Sequence, residues 1–305
     1  MREVLVIMGA TATGKSALAL DLAERAGREL ISADSRQVYA GLRVGTAQPT
    51  AAERARAVHH GIDFLPLARR WSAQAFASDA LALLRRADRP PAIVVGGTGF
   101  YLEALCEGLF PLAVPAARLA ALRGELGGLA SPALHARLMA LDPVSAARLH
   151  PNDRQRLLRA LEVCLATGQP LAAHHARGRE RPVDLRWRRV WLALERPVLA
   201  ERIAARLDAM LAGGWREEVA ALLGEGADPA APGLQTLGYP EVVAHLRGRL
   251  DRAALRAAVL LRTRQYAKRQ ETWFRHRGRA ELVLDPRAPD TPARLAALLA
   301  PGGSP

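Results

Sequence analysis

The chain has 305 residues, half of them apolar, with 43 Lys plus Arg against 30 Asp plus Glu and a formal net charge of +13. Such a composition excludes a disordered or low-complexity chain and allows one large core or two modest ones. No apolar run approaches the ~18 residues of a membrane span, and two cysteines cannot make a disulfide framework or a zinc site.

In chain order, Val4-Leu5-Val6-Ile7-Met8 is an apolar, β-branched run of strand length, and Ser16 to Ala23 reads as a helix. Between them stands Gly9-Ala10-Thr11-Ala12-Thr13-Gly14-Lys15-Ser16, which fits G-x-x-x-x-G-K-[ST], a phosphate-binding loop. Its glycines let backbone N–H groups curl around an anion, and the helix N-terminus adds partial positive charge. Lys15 supplies a mobile cation, and the Ser16 hydroxyl can ligate a phosphate-bound Mg2+. Lysine is otherwise nearly absent: only Lys15 and Lys268 occur. Arginine cannot replace a compact ammonium inside a phosphate cradle without a change of geometry. Because the first strand begins at once, no signal peptide is expected, and the two cysteines suit a reducing cytoplasm.

Glu29 to Asp34 predicts a second strand ending in a carboxylate, Ser35 to Pro49 a loop, and His60 to Leu65 a short strand. Ser72 to Arg86 predicts a helix, and Ala92 to Thr98 a strand running into Gly-Gly-Thr, followed by an apolar helix from Phe100. This is a parallel α/β pattern. From Pro115 to Arg181 only helices are expected, over 116–126, 132–141, 143–149 and 153–167. Arg188 to Leu194 returns to strand, helices follow from Pro197 to Met210 and from Trp215 to Leu223, and Gly226 to Tyr239 reads as loop. A long basic helix spans Asp251 to Arg275, a last strand Glu281 to Asp285, and a short helix Thr291 to Leu299. The expected division is 1–114 as the first part of a phosphate-loop core, 115–185 as a helical insertion, 186–290 as the return to the core, and 291–305 as a tail. Cys106 and Cys164 are expected in the core; His59-His60 and His174-His175, without metal-ligand partners, are expected at the surface or in turns.

The charge is unevenly placed. Between Asp251 and Arg279 stand ten basic residues, His276 included, against two acidic ones, and His150 to Arg159 adds a second basic stretch. Such stretches suit a polyanion, nucleic acid above all. The third strand ends in Gly96-Gly97-Thr98 rather than in the magnesium-holding Asp of most phosphate-loop NTPases. The nearest strand-terminal carboxylate is Asp34, and both strand ends lie where open α/β sheets bind ligands.

These motifs resemble the tRNA dimethylallyltransferase family, of the bacterial type. The resemblance rests on Gly9 to Ser16, Ile31 to Tyr39, Gly45 to Pro49, Val95 to Tyr101, His150 to Asp153, Gln155 to Glu162, Leu237-Gly238-Tyr239 and Arg264 to Arg275, in order and at family spacing. It implies an α/β phosphate-loop NTPase-like sheet flanked by helices, with a mainly helical insertion. The implied activity moves a dimethylallyl group from dimethylallyl diphosphate to the exocyclic N6 amine of the adenosine 3′-adjacent to the anticodon (tRNA position 37), in tRNAs reading codons that start with U, and releases diphosphate. Asp34, Thr98 and Arg206 take the catalytic positions, and Gly9, Ala10, Thr11, Ala12, Thr13, Gly14, Lys15 and Ser16 hold the diphosphate, with Mg2+ reached from Ser16. Implied tRNA contacts are Asp34, Ser35, Arg36, Gln37, Thr98, Arg118, Gln155, Arg156, Leu157, Leu158, Arg159, Gln235, Gly238, Tyr239, Lys268, Arg269, Gln270, Trp273 and Arg275. A cytoplasmic monomer without membrane contact is expected. Three departures stand out: Ala10 replaces the family's usual Pro, Pro240 a usual basic residue, and the segment 111–115 is short. The residues leave two rivals open: the same transfer to free AMP, ADP or ATP, and a small-molecule kinase with ATP in the loop, since the cradle does not tell one diphosphate from another.

Overall fold

The computed structural model describes residues 1–110 and 114–299. Its elements begin β1 (Arg2–Gly9), α1 (Lys15–Ala26), β2 (Leu30–Ser32), α2 (Ala51–Arg56), β3 (His59–His60), α3 (Ala73–Leu84), β4 (Ile93–Gly96) and α4 (Gly99–Glu107). Five helices follow: α5 (Ala116–Gly127), α6 (Ser131–Leu141), α7 (Pro143–Arg148), α8 (Arg154–Thr167) and α9 (Leu171–Ala176). The chain then runs through β5 (Leu185–Leu192), α10 (Arg196–Ala212), α11 (Trp215–Gly224), α12 (Tyr239–Leu246), α13 (Arg252–Arg277), β6 (Leu282–Leu284) and α14 (Thr291–Ala297).

The six strands form one wholly parallel sheet in the order β3-β2-β4-β1-β5-β6. β1 lies between β4 and β5, with Val6 beside Val94 and Val190 beside Ile7. A strand covered on both faces carries no polar alternation, which is why Val4 to Met8 is continuously apolar and fully buried. Leu5, Ile7, Leu20, Ile93, Leu192 and Leu284 share one core cluster, and α14 joins it through Leu295. Parallel strands need crossovers, so every ladder runs the same way and the carboxyl ends of β2, β4 and β1 finish side by side. Three loops therefore meet there: 9–14, the one from Ala33, and the one from Gly97.

The chain divides into two compact units: Met1–Cys106 with Pro182 onward, and Glu107–Arg181. The second is built from α5 to α9 around Leu126, Leu134, Leu138, Leu157 and Leu161. Asp142 caps α7, accepting from Ser145 N at 3.0 Å, and its other oxygen takes Ala172 N at 3.0 Å. Glu162, fully buried, holds Arg123 through two bonds of 2.6 and 3.0 Å.

Several sequence expectations shift. The helical unit opens at Glu107 and closes at Arg181, against the expected 115 and 185. The strand expected over His60 to Leu65 is only His59–His60, and Leu65 makes one isolated bridge to Tyr39, because Gly61 turns the chain at φ 77°. Three short helices, α2, α9 and α12, were not expected; α9 and α12 open on or beside proline, as a first turn tolerates. Three of the four histidines leave the surface: His59 and His60 are half-buried in β3, His60 joined to Glu29 at 2.7 Å, and His174 is buried with its Nε2 on the Thr167 hydroxyl, while His175 is exposed as expected. Both cysteines are buried, as expected. Among the described residues no helix is long and apolar enough to cross a membrane. Residues 111–113 of the short 111–115 segment, and the last six of the tail, lie outside the described residues.

Candidate active site at the carboxyl edge of the sheet

The loop after β1 has the geometry its sequence demands. Gly14 stands at φ 91°, the left-handed conformation that L side chains rarely adopt, and starts α1. Thr13 Oγ1 donates to Ala10 O at 2.9 Å and Lys15 Nζ to the same oxygen at 3.2 Å, so the loop is braced from inside. A strap comes from α13: Gln270 accepts from Thr11 N at 2.9 Å and donates to Gly97 O at 2.8 Å, tying the β1 loop to the β4 loop.

Cations converge on this loop. Arg202 and Arg206 lie one turn apart on α10, hence on one face. Arg206 donates to Thr11 Oγ1 at 3.2 Å, and Arg202 runs beside Gly14. Lys15 is 9% exposed. Burial, and then the Arg206 guanidinium, lower its pKa to about 8, with Asp34 pulling the other way. Burial also lowers the pKa of Arg206, again opposed by Asp34. Among the described residues neither Lys15 nor Arg206 makes an ion pair.

Asp34 faces them. Its Oδ1 accepts from Arg36 N at 2.8 Å and Gln37 N at 3.4 Å, which fixes the carboxylate by capping its own turn. Its Oδ2 has no hydrogen-bond partner among the described residues. Thr98 holds the turn from the other side: its Oγ1 accepts from Ser35 N at 3.0 Å and lies 3.4 Å from Ser35 Oγ. Tyr266 of α13 completes the corner. Its pKa is raised by burial and by Asp34, while Arg36 and a hydrogen bond with Thr98 lower it. Thr11, Gly14, Lys15, Ser16, Asp34, Arg206 and Tyr266 all line one cavity of about 1110 Å³, whose remaining wall is partly apolar through Ile203, Leu207 and Met210.

The chain matches the IPP transferase family model over residues 37–277 and the isopentenyl transferase model over residues 2–59. This protein belongs to the IPP transferase family. A tRNA dimethylallyltransferase of Rhodospirillum centenum is 48% identical over 297 residues, covering 93% of this chain and 92% of that protein. Another, of Geobacter metallireducens, is 42% identical over 279 residues, covering 90% and 89%. Among solved structures, a eukaryotic dimethylallyltransferase acting on tRNA aligns with a TM-score of 0.80 at 26% identity, over 96% of this chain and 77% of that one. The full-length tRNA isopentenylpyrophosphate transferase of Bacillus halodurans aligns with a TM-score of 0.68 at 30% identity, over 98% and 97%. The P-loop-like parallel sheet expected from the sequence is the fold of this family.

The structure sorts the residues that the family resemblance singled out. Thr11, Ala12, Gly14, Lys15 and Ser16 meet Asp34 and Arg206 in the cavity, Gly9, Ala10 and Thr13 lie beneath the loop, and Thr98 stands behind Ser35 as a support. Arg36, Gln235, Lys268, Arg269 and Arg275 are exposed, Ser35, Gln37 and Trp273 half-buried. In the helical unit, Arg118, Gln155 and Arg156 are exposed and Arg159 shares Glu162 with Arg123. Five of the residues expected at the RNA instead point into the protein. Leu157 is fully buried and Leu158 packs on the same core, because both point into the helical unit. Tyr239 is fully buried and donates to Glu218 at 2.7 Å, with Gly238 wedged against Trp215. Gln270 is buried in the strap, so it holds the loops and does not face solvent. Two residues escaped the sequence reading. Arg202 was legible, one turn before Arg206; Tyr266 was not, because an aromatic on a helix signals core and cavity wall alike.

Proposed function

We propose that this protein transfers a dimethylallyl group from dimethylallyl diphosphate to the N6 amine of the adenosine beside the anticodon in tRNA. The observation that carries the site assignment is a pair of cations, buried Lys15 and half-buried Arg206, that among the described residues have no carboxylate partner and stand across from an open oxygen of Asp34. Unpaired buried cations are costly unless an anion binds between them. The loop amides, Lys15 and Arg206 grip the diphosphate and stabilise the charge it gains as the allylic C–O bond breaks. The apolar wall at Ile203, Leu207 and Met210 suits the hydrocarbon end.

The acceptor amine is a weak nucleophile because its lone pair is delocalised into the ring. Asp34 Oδ2 accepts one N6 hydrogen, aims the lone pair at the allylic carbon, and takes the proton as the C–N bond forms. Because Oδ1 is occupied by the turn, the carboxylate presents one oxygen in one direction. Thr98 and Tyr266 position that turn.

For magnesium, Ser16 is exposed and its hydroxyl makes no hydrogen bond among the described residues, which fits a ligand role. No group of three or more His, Cys, Asp or Glu among the described residues could hold a metal alone. Ser16 and the diphosphate oxygens would therefore hold it, and the ion would neutralise leaving-group charge.

The exposed basic face of α13 favours an RNA acceptor over a free nucleotide, which needs no such surface. Gly97-Thr98 in place of a magnesium Asp after β4 disfavours the kinase reading. The test is transfer of radiolabel from dimethylallyl diphosphate, with Mg2+, to unmodified tRNA and to AMP in parallel. Label in tRNA alone is expected; label in AMP, or in neither, overturns the proposal.

A further inference from the structure

Among the described residues only two aromatic side chains are exposed: Phe64 at 48% and Phe100 at 56%. Both stand on the carboxyl edge of the sheet. Phe64 follows β3 and Phe100 opens α4 just after β4, and β2, which delivers Asp34, lies between those two strands. The strand that delivers the acceptor carboxylate is thus bracketed by two strands whose following segments each carry an exposed aromatic ring.

Phe64 rests on an aromatic base that includes Tyr101, the chain neighbour of Phe100. Phe64 packs edge-on against Trp71 at 5.0 Å, and Trp71 against Tyr101 at 6.0 Å, whose hydroxyl donates to Trp71 O at 2.9 Å. Trp273 of α13 lies over Gly99: a Cβ there would sit 2.3 Å from a ring atom, so the backbone that carries Phe100 is pinned. Two exposed cations stand by this base: Arg36, close enough to Tyr101 to lower its pKa, and Arg269, one turn before Trp273 on α13. Neither Phe64 nor Phe100 serves the core, and neither lines the cavity. Flat rings interleaved with cations on one surface match how unpaired nucleotides are held: bases stack on the rings while phosphates meet the cations.

We propose that Phe100, with Phe64 on the far side of the Asp34 turn, is a stacking platform for the unpaired bases that flank the adenosine offered to Asp34. The proposal rests on the RNA acceptor assigned above. Extruding a base leaves its neighbours without a stacking partner, and an exposed ring beside the site replaces it. Phe100 is accordingly a positioning residue for the acceptor and has no part in holding the donor.

The test uses an anticodon stem-loop RNA with 2-aminopurine in place of the base 3′ to the acceptor adenosine. With the parent enzyme, binding quenches the probe by stacking. Phe100→Ala is expected to abolish the quench and raise the KM for RNA about tenfold, the order expected for one lost base–aromatic stack. The KM for dimethylallyl diphosphate and the melting temperature stay at parent values. Phe100→Tyr restores both readouts and Phe100→Leu, which keeps apolar bulk without a π-face, restores neither. Phe64→Ala gives a smaller rise in KM. Parent-like quench and KM in Phe100→Ala, or rescue by Leu as complete as by Tyr, would overturn the platform while leaving the proposed activity intact. A parent that quenches the probe but transfers no label would overturn the activity and support the platform.

Discussion

The carboxyl edge of the sheet and the helical unit bury charge in opposite ways. In the helical unit Glu162 is closed by Arg123, and Asp142 by the backbone of Ser145 and Ala172. At the sheet edge buried Lys15 and half-buried Arg206 make no ion pair among the described residues, and Asp34 keeps one oxygen open. Removing an ion from water costs several kcal/mol. Where the partner is built in, that cost is met by folding and the charge is architecture. Where it is missing, the cost is met only when a ligand arrives, and the charge is chemistry.

The contrast breaks most sharply by substitution. Lys15→Ala and Asp34→Asn are each expected to lower turnover by about 10²-fold or more while leaving the melting temperature within a degree or two of the parent. Steady-state kinetics beside a thermal melt checks both; a large fall in melting temperature with modest loss of turnover would make these residues architectural. Asp142→Ala should do the reverse. It strands the amides of Ser145 and Ala172, a loss of about 1–3 kcal/mol read as a lower melting temperature, with the KM for dimethylallyl diphosphate unchanged.

Acid should find the same residue. Burial pushes the Asp142 pKa up, but hydrogen bonds from Ser145 and from the backbone of Ser145, Ala172 and Leu171 outweigh it and hold the pKa below the ordinary carboxylate value. Its contribution to stability is therefore complete above the unfolded carboxylate pKa and fades as pH falls through the lowered folded value. The smallest effect is protonic. The Lys15 pKa falls from the ordinary 10.5 to about 8, so the folded state binds fewer protons between those values, and stability without ligand rises with pH across that window. A diphosphate beside Lys15 favours its charged form and raises the pKa again. Calorimetry near pH 8.5 in buffers of different ionisation enthalpy should record uptake of a fraction of a proton on diphosphate binding, lost in Lys15→Ala.

Much of this was legible in the chain. Strand, loop and helix around Gly9 to Ser16, the carboxylate ending β2, and the Gly-Gly-Thr ending β4 are local signals, and each reappears in the structure at its expected place. What a motif cannot carry is the direction of a side chain. Leu157, Tyr239 and Gln270 lie inside motif segments, yet all three turn inward to the core, to Glu218 and to the strap. His174 gave no sign of burial, because its partner Thr167 is fixed only when α9 folds back on α8.

The sequence by itself determined the alternation of strands and helices, the phosphate-loop geometry through Gly14, and the family. These follow from steric limits on the backbone and from the period of apolar residues, which act over a few positions. Only the tertiary structure decided that Arg206 and Gln270, far from the loop in sequence, close on Thr11, that Asp34 spends one oxygen on its own turn, and that Phe64 and Phe100 are left exposed. Those outcomes depend on how the parallel crossovers order the sheet, and no local pattern encodes which strand ends will become neighbours.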